Sequence, residues 1–176
     1  SMGYNGQIIS FEPTLTNYNY QRENFQNDKK IRFYNLALGD INCEQKINIM
    51  DLSNMNSLLE PINKKIKNKI NVKVKRLDSL MNDILEPIKN PKIFCKIDTQ
   101  GYDLNVLKGA VKFTKFFSIV QTEISMKPLY NNSPNFIKSF EYFDSIGFEA
   151  VQLFPCSVNK QLRHTLEYDC ILVKKT

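Results

Sequence analysis

The sequence predicts an α/β fold: a largely parallel sheet flanked by helices and closed by an antiparallel pair of C-terminal strands. Three observations predict it. Short apolar runs alternate with segments of helical periodicity, the pattern of successive βα units. The run Lys92 to Asp98, KIFCKID, is apolar on nearly both faces, as a central parallel strand is. The last two runs, Phe148 to Pro155 and Tyr168 to Lys175, are joined by a short polar connection that suits a hairpin.

Each element follows in order. Gln7 to Pro13 reads as a strand closed by Pro13, and Leu15, Tyr18, Arg22 and Phe25 then fall on one mostly apolar helical stripe up to about Asn27. Ile31 to Asp40 reads as a second strand running into a turn at Gly39. Cys43 to Met50 reads as an accessory strand and Ile70 to Leu77 as a half-buried one, with Asp78 placed to cap the short helix Ser79 to Leu85. After the central strand, Gly101 marks a turn, Asp103 is placed as an N-cap, and Leu104, Leu107 and Val111 share a helical stripe. Phe117 to Ser125 is another interior strand. Ser133 and Pro134 open a helix that carries Phe136, Phe140 and Phe143 on one face and ends at Gly147.

Bulk properties set the limits. A chain of 176 residues with 42% hydrophobic and 24% charged residues suits one domain, read here as residues 1–176. No apolar run is long enough to span a bilayer and no secretory signal pattern is present, so a cytoplasmic protein without a membrane partner is expected. Ser1 and Met2 read as an expression scar. The net charge of +6 is concentrated in Lys64 to Arg76, which lacks interleaved aromatics. It reads as a solvated face, and nucleic acid is not expected as a partner. The four cysteines, Cys43, Cys95, Cys156 and Cys170, form no C-x-x-C pair, which argues against a zinc site or a disulfide framework.

The chemistry is expected beyond the carboxyl ends of the parallel strands, where turns are free of packing duties and helix N-termini converge. Glu12, Asp98 and Glu123 fall at such ends, and Asp40 follows the turn at Gly39. With neighbouring strands about 4.8 Å apart, Asp98 and Glu123 would share one crevice. Two carboxylates so placed repel, so one holds its proton above the usual range and can serve as a base near neutral pH. They can also hold a divalent cation or the charge of a cationic cofactor, though a metal is not favoured. The alternative is that each acid caps the following helix or satisfies loop amides. The single histidine, His164, sits in a loop segment with no partner motif and reads as a surface residue.

The segments GQIISFEP, NLALGD, RLDSL, KIDTQGYDLNVLKGA and VQTEIS with PLY, then GFEAVQLF and YDCILVKK, occur in the order seen in the FkbM family of S-adenosylmethionine-dependent methyltransferases, which the chain resembles from Gly6 onward. The resemblance implies a Rossmann-like class I methyltransferase sheet and methyl transfer to a hydroxyl of a sugar, glycan or small metabolite. By position, Glu12 resembles the acid that binds the cofactor ribose, and Leu38, Gly39 and Asp40 the turn beside its adenine. Asp98 resembles the acid near the methyl group and acceptor, with Glu123, Gln100 and Tyr130 on the acceptor side; Asp98 is the first candidate base and Glu123 the second. Asp103 stands where the family more often has Glu.

The family's first strand and its glycine-rich loop have no counterpart here, so an N-terminally truncated domain is expected. Gly3 to Gly6 reads as the turn entering the first strand present. The missing strand would lie between those ending in Glu12 and Asp98, leaving two edges to be closed by upstream residues, by approach of the two halves, or by a second copy of the chain. The rival readings are a non-catalytic remnant or interaction module of the same fold and, third, an RNA methyltransferase that uses the Lys64 to Arg76 run.

Overall fold

The computed structural model describes residues 4–86, 88–159 and 161–175. Ser1, Met2 and Gly3, with the readings placed on them, lie outside the described residues. The fold is mixed α/β, with strands β1 (Ile8–Phe11), β2 (Ile31–Tyr34), β3 (Ala37–Leu38), β4 (Cys43–Ile49), β5 (Asn68–Lys75), β6 (Ile93–Lys96), β7 (Phe117–Ser125), β8 (Phe148–Asn159) and β9 (His164–Lys174). The helices are α1 (Leu15–Phe25), α2 (Met81–Leu85), α3 (Asp103–Lys108) and α4 (Phe136–Ser145). No described helix is long and apolar enough to cross a membrane.

The strands form three sheets ordered β1-β2, β3-β5-β4 and β6-β7-β9-β8. β1-β2, β3-β5 and β6-β7 pair in parallel, whereas β4-β5, β7-β9 and β8-β9 are antiparallel. The strands are therefore not mostly parallel: β4 runs antiparallel to β5, and β9 folds back antiparallel between β7 and β8. The C-terminal hairpin forms as expected.

The core collects Val72 and Val74 from β5, Leu104, Val106 and Leu107 from α3, Phe113, Val120 and Ile124 around β7, Phe143 from α4 and Leu172 from β9. The alternation read in Ile70 to Lys75 is what buries Val72 and Val74 while Lys73 faces water.

Several expectations change. Ile31 to Asp40 is two strands in different sheets: Asn35 turns out of β2 to donate its side-chain amide to the carbonyls of Glu12 and Pro13, and Ala37 and Leu38 then pair with β5. The α1 stripe is not buried, with Leu15 and Phe25 both exposed. β6 is an edge strand rather than a central one, and Phe94 is 58% exposed. The edges of β1 and β6 do not pair with each other, although Ile9 and Phe11 of β1 pack against the common core. Asp78 caps no helix; it accepts from the Lys112 backbone N–H and pairs with Arg76. The cap of α4 is Asn135, which accepts from the Lys138 N–H, in place of Ser133. His164 opens β9 on the exposed surface, as expected.

Candidate active site

Parallel pairing sets Lys96 opposite Gln121, so the chain leaving β6 reaches Asp98 beside Glu123, late in β7. The turn that follows is tight. Gln100 has φ 52° and Gly101 φ 86°, two successive residues in the left-handed region, where glycine is unstrained and glutamine is not. At Gly101 a side chain would also press on the Ser133 Cβ and the Tyr130 ring.

The strained Gln100 is held on every side. Its carbonyl accepts from Ser57 Oγ at 2.8 Å, its Nε2 donates to Glu123 Oε2 at 2.9 Å and approaches Asp98 Oδ1 at 3.5 Å, and its Oε1 lies 3.0 Å from Tyr130 Oη. Asp98, Gln100, Glu123 and Tyr130 are thus one hydrogen-bonded group. Backbone strain maintained by this many partners is what a functional turn displays.

The electrostatics separate the two acids. Burial, then the charges of Asp98, Asp103, Glu167 and Asp169, push the Glu123 carboxyl up to about 8. Asp98 is more exposed and pairs with Lys96 Nζ at 2.8 Å. Burial alone would lower the Lys96 ammonium, but the hydrogen bond and charge of Asp98 outweigh it and leave that pKa raised. Burial, then Glu167 and Glu123, push the Tyr130 hydroxyl up to about 12, so it remains a donor at neutral pH.

Asp103 works differently from the cap expected. It is the first residue of α3, behind Tyr102 at the cap position, and its Oδ1 accepts from Thr122 Oγ1 at 3.0 Å and from the Glu123 N–H at 3.3 Å. Its Oδ2 accepts from Thr99 Oγ1 at 2.9 Å. Burial pushes this carboxyl up while the three donors pull it back. Asp103 therefore fastens the 98–103 turn to β7 at the residue that carries the site's chemistry. Asp103→Ala is expected to cost about 2–3 kcal/mol by leaving buried donors unpaired, and Asp103→Asn, which keeps an acceptor, less than half of that; urea unfolding of the two variants measures the difference.

The remaining expected residues lie apart from this group in the hydrogen-bond pattern. Glu12 Oε1 accepts from the Thr14 N–H at 2.8 Å and from Thr14 Oγ1 at 2.6 Å. Asp40 Oδ1 receives the Tyr102 hydroxyl at 3.4 Å, and its carbonyl receives Arg76 at 2.6 Å, so the turn after Leu38 and Gly39 is tied to α3. Two acids that sequence reasoning passed over, Glu167 and Asp169, stand on β9 opposite Ser125 and Glu123. Their period-two spacing was visible, but that they face Glu123 depends on strand register. Cys156 Sγ on β8 approaches Glu123 Oε1 at 3.9 Å. All four cysteines are free, and among the described residues no cluster of three or more His, Cys, Asp or Glu side chains could hold a metal.

The family model for the methyltransferase FkbM domain matches residues 1–150. The chain belongs to the FkbM methyltransferase domain family. Among solved structures, it is similar to methyltransferase FkbM from Methylobacillus flagellatus KT, with 15% identity and a TM-score of 0.55 over 96% of this chain and 36% of that one. At that identity the likeness concerns the fold alone, and the chain spans only about 36% of the neighbour's length. No curated protein matches this FkbM domain. The family match ends within β8, before β9 brings Glu167 and Asp169 to the candidate site.

Proposed function

We propose that this FkbM domain transfers the methyl group of S-adenosylmethionine to a hydroxyl oxygen of a sugar, glycan or small metabolite. The observation that carries the reading is the pairing of two unlike acids on one amide: Asp98 in solvent with Lys96, and Glu123 desolvated with a raised pKa. An unactivated hydroxyl needs a base, and a desolvated carboxyl poised near 8 is matched to that task. Glu123 takes the role of base, and Asp98 that of the charge beside it. This reverses the order in which the sequence ranks them.

The donor set fits a cationic cofactor on its acidic side. Glu12 follows the parallel strand β1, and among the described residues only one of its two carboxylate oxygens is engaged, leaving Oε2 to meet ribose hydroxyls. Leu38, Gly39 and Asp40 would flank the adenine. When bound, S-adenosylmethionine supplies a methyl group already activated on a sulfonium. What remains for the protein is to place the acceptor oxygen and remove its proton. Gln100, itself held by Tyr130, fixes the Glu123 carboxyl, and Glu123 accepts that proton.

Binding of S-adenosylhomocysteine tests the cofactor half. At a hundred times its Kd, the ligand adds about 2.7 kcal/mol, a rise of roughly 5–10 °C in Tm for a chain of this size. Glu12→Ala is expected to lose the shift. The rival reading, a non-catalytic module, draws on the separation of β1-β2 from β6 in the sheet order. It predicts no shift even at millimolar ligand, and that result would overturn the cofactor assignment. The RNA reading loses ground, since Lys69 pairs with Glu60 and Lys73 stands opposite Glu44.

A further inference from the structure

Tyr130 carries one hydroxyl hydrogen and faces two acceptors. Its Oη is 3.1 Å from the Met55 carbonyl oxygen and 3.0 Å from Gln100 Oε1, and among the described residues no other donor reaches the Met55 carbonyl. With the Gln100 amide nitrogen toward Glu123, one of those two contacts is left as oxygen against oxygen with no hydrogen between them. The conflict has one simple resolution. The amide can turn about its last bond, presenting its oxygen to Glu123 and its nitrogen to Tyr130, provided that Glu123 carries a proton to donate.

We propose that Gln100 is a positioning residue that links the protonation of Glu123 to the loop holding Met55, through reversal of its side-chain amide. With Glu123 ionised, Nε2 donates to the carboxylate, Tyr130 donates to Gln100 Oε1, and the Met55 carbonyl is released. With Glu123 protonated, its O–H donates to the amide oxygen, the amide nitrogen donates to Tyr130 Oη, and Tyr130 donates to Met55. In the second arrangement Glu123, Gln100, Tyr130 and the Met55 carbonyl all have partners, and Asp98, which gives up its 3.5 Å contact with Nε2, keeps Lys96. The proton count balances, since the only proton gained is the one on Glu123.

The surroundings confine the change to the amide. The Gln100 backbone is pinned by Ser57 at its carbonyl and locked at positive φ, so the side chain turns without moving the main chain. Tyr130 is 1% exposed, so no solvent donor competes at its hydroxyl. Met55 ends the short 3-10 turn Ser53–Met55 in the segment that leads back through Ser57 to the 98–103 turn. Releasing its carbonyl therefore loosens the loop beside the acids when Glu123 is ready to act as a base. Around Glu123 stand Lys96 from β6 and Asp98 from the turn after it, Asp103 from α3, Cys156 from β8, Glu167 and Asp169 from β9, and Tyr130 from the loop after β7. Burial first, and then these acids with only Lys96 as a cation among them, favour the protonated form up to about pH 8. The linkage depends on Glu123 and holds whether or not the domain transfers methyl groups.

The test is a pH titration of protein labelled with 13C at methionine carbonyls, with the Met55 signal assigned by Met55→Leu. Between pH 6 and 10 the Met55 carbonyl is expected to shift with a single midpoint near that of Glu123. Glu123→Gln, which has no proton to lose and can pair with either orientation of the Gln100 amide, should hold the signal at one position throughout. Tyr130→Phe should hold it at the released position, and Gln100→Met, which removes both ends of the amide, provides a second variant that loses the response. A Met55 signal that does not titrate in the folded wild type, or one that titrates unchanged in Tyr130→Phe or Gln100→Met, overturns the linkage.

Discussion

Gly109→Ala is expected to destabilise the domain by about 3–5 kcal/mol, at the upper end of what single substitutions do. A methyl group at this position would overlap the carbonyl oxygen and carbon of Gly39. Both sides of the clash are main chain, so no rotamer change relieves it. Nor can the backbone withdraw easily. The Gly109 N–H donates to the Asn105 and Val106 carbonyls, its own carbonyl accepts from Asp78 N–H at 3.0 Å, and Gly39 N–H donates to the Lys75 carbonyl at 3.0 Å. Arg76 fastens the same crossing by donating to the carbonyls of Asp40 at 2.6 Å and Lys108 at 3.2 Å. Gly147→Ala is the informative control. That glycine has φ 80° with open space around it, so alanine there meets only backbone strain of about 1–2 kcal/mol. Urea midpoints of the two variants should differ in this order; a Gly109→Ala protein within 1 kcal/mol of wild type would mean that the turn at Gly39 is free to move. Because that turn leads to Asp40, the same variant should also weaken whatever binds beside Asp40.

What could be read in the residues divides by distance along the chain. Local patterns were legible: alternation placed β5, strand-ending acids placed Asp98 beside Glu123, and Gly147 marked the end of α4. Partners far apart in sequence were not. Asp78 and Asp103 both look like caps, because a carboxylate ahead of an apolar stripe has a ready local donor. Each instead serves a remote one, the Lys112 N–H for Asp78 and Thr122 with the Glu123 N–H for Asp103. The break between β2 and β3 has the same origin. Nothing local in Ile31 to Asp40 stops a strand, but Asn35 finds acceptors at Glu12 and Pro13 across the parallel pair, and the chain leaves for another sheet. The edge position of β6 also depends on pairing, since a run of Ile93, Phe94 and Cys95 reads as interior whether or not a neighbour lies on each side. Family resemblance supplied roles for Glu12 and Asp40 that hydrogen bonding alone would not suggest, because neither is bonded to the Glu123 group.

Glu123 is expected to drive stability and turnover in opposite directions over one range of pH. Unfolded, its carboxyl titrates near the ordinary value of 4.5; folded, burial first and then the neighbouring acids hold it near 8. Between those values the folded chain binds the extra proton, so the contribution of this group to stability is complete below about pH 4.5 and is lost as pH rises through about 8. The side chain is only half-buried, and solvent screening reduces the loss to on the order of 1–2 kcal/mol. Glu123→Gln stays neutral throughout. Asp103 and Glu167 are raised as well, so the quantity to follow is the difference between wild type and Glu123→Gln in urea midpoints at pH 5, 7 and 9. That difference should grow steadily in favour of the variant. Methyl transfer from a labelled donor should rise with pH through the same midpoint in wild type, since only the carboxylate can take the acceptor's proton, and should fall by about 10²–10⁴-fold in Glu123→Gln. A stability difference that stays flat would show that Glu123 is ionised well below pH 8 and has no stored desolvation to release. A turnover profile with its midpoint elsewhere would pass the role of base to Asp98. Agreement between the pH at which the stability difference levels off and the midpoint of the turnover profile is the stronger result, because both then report the folded-state titration of Glu123.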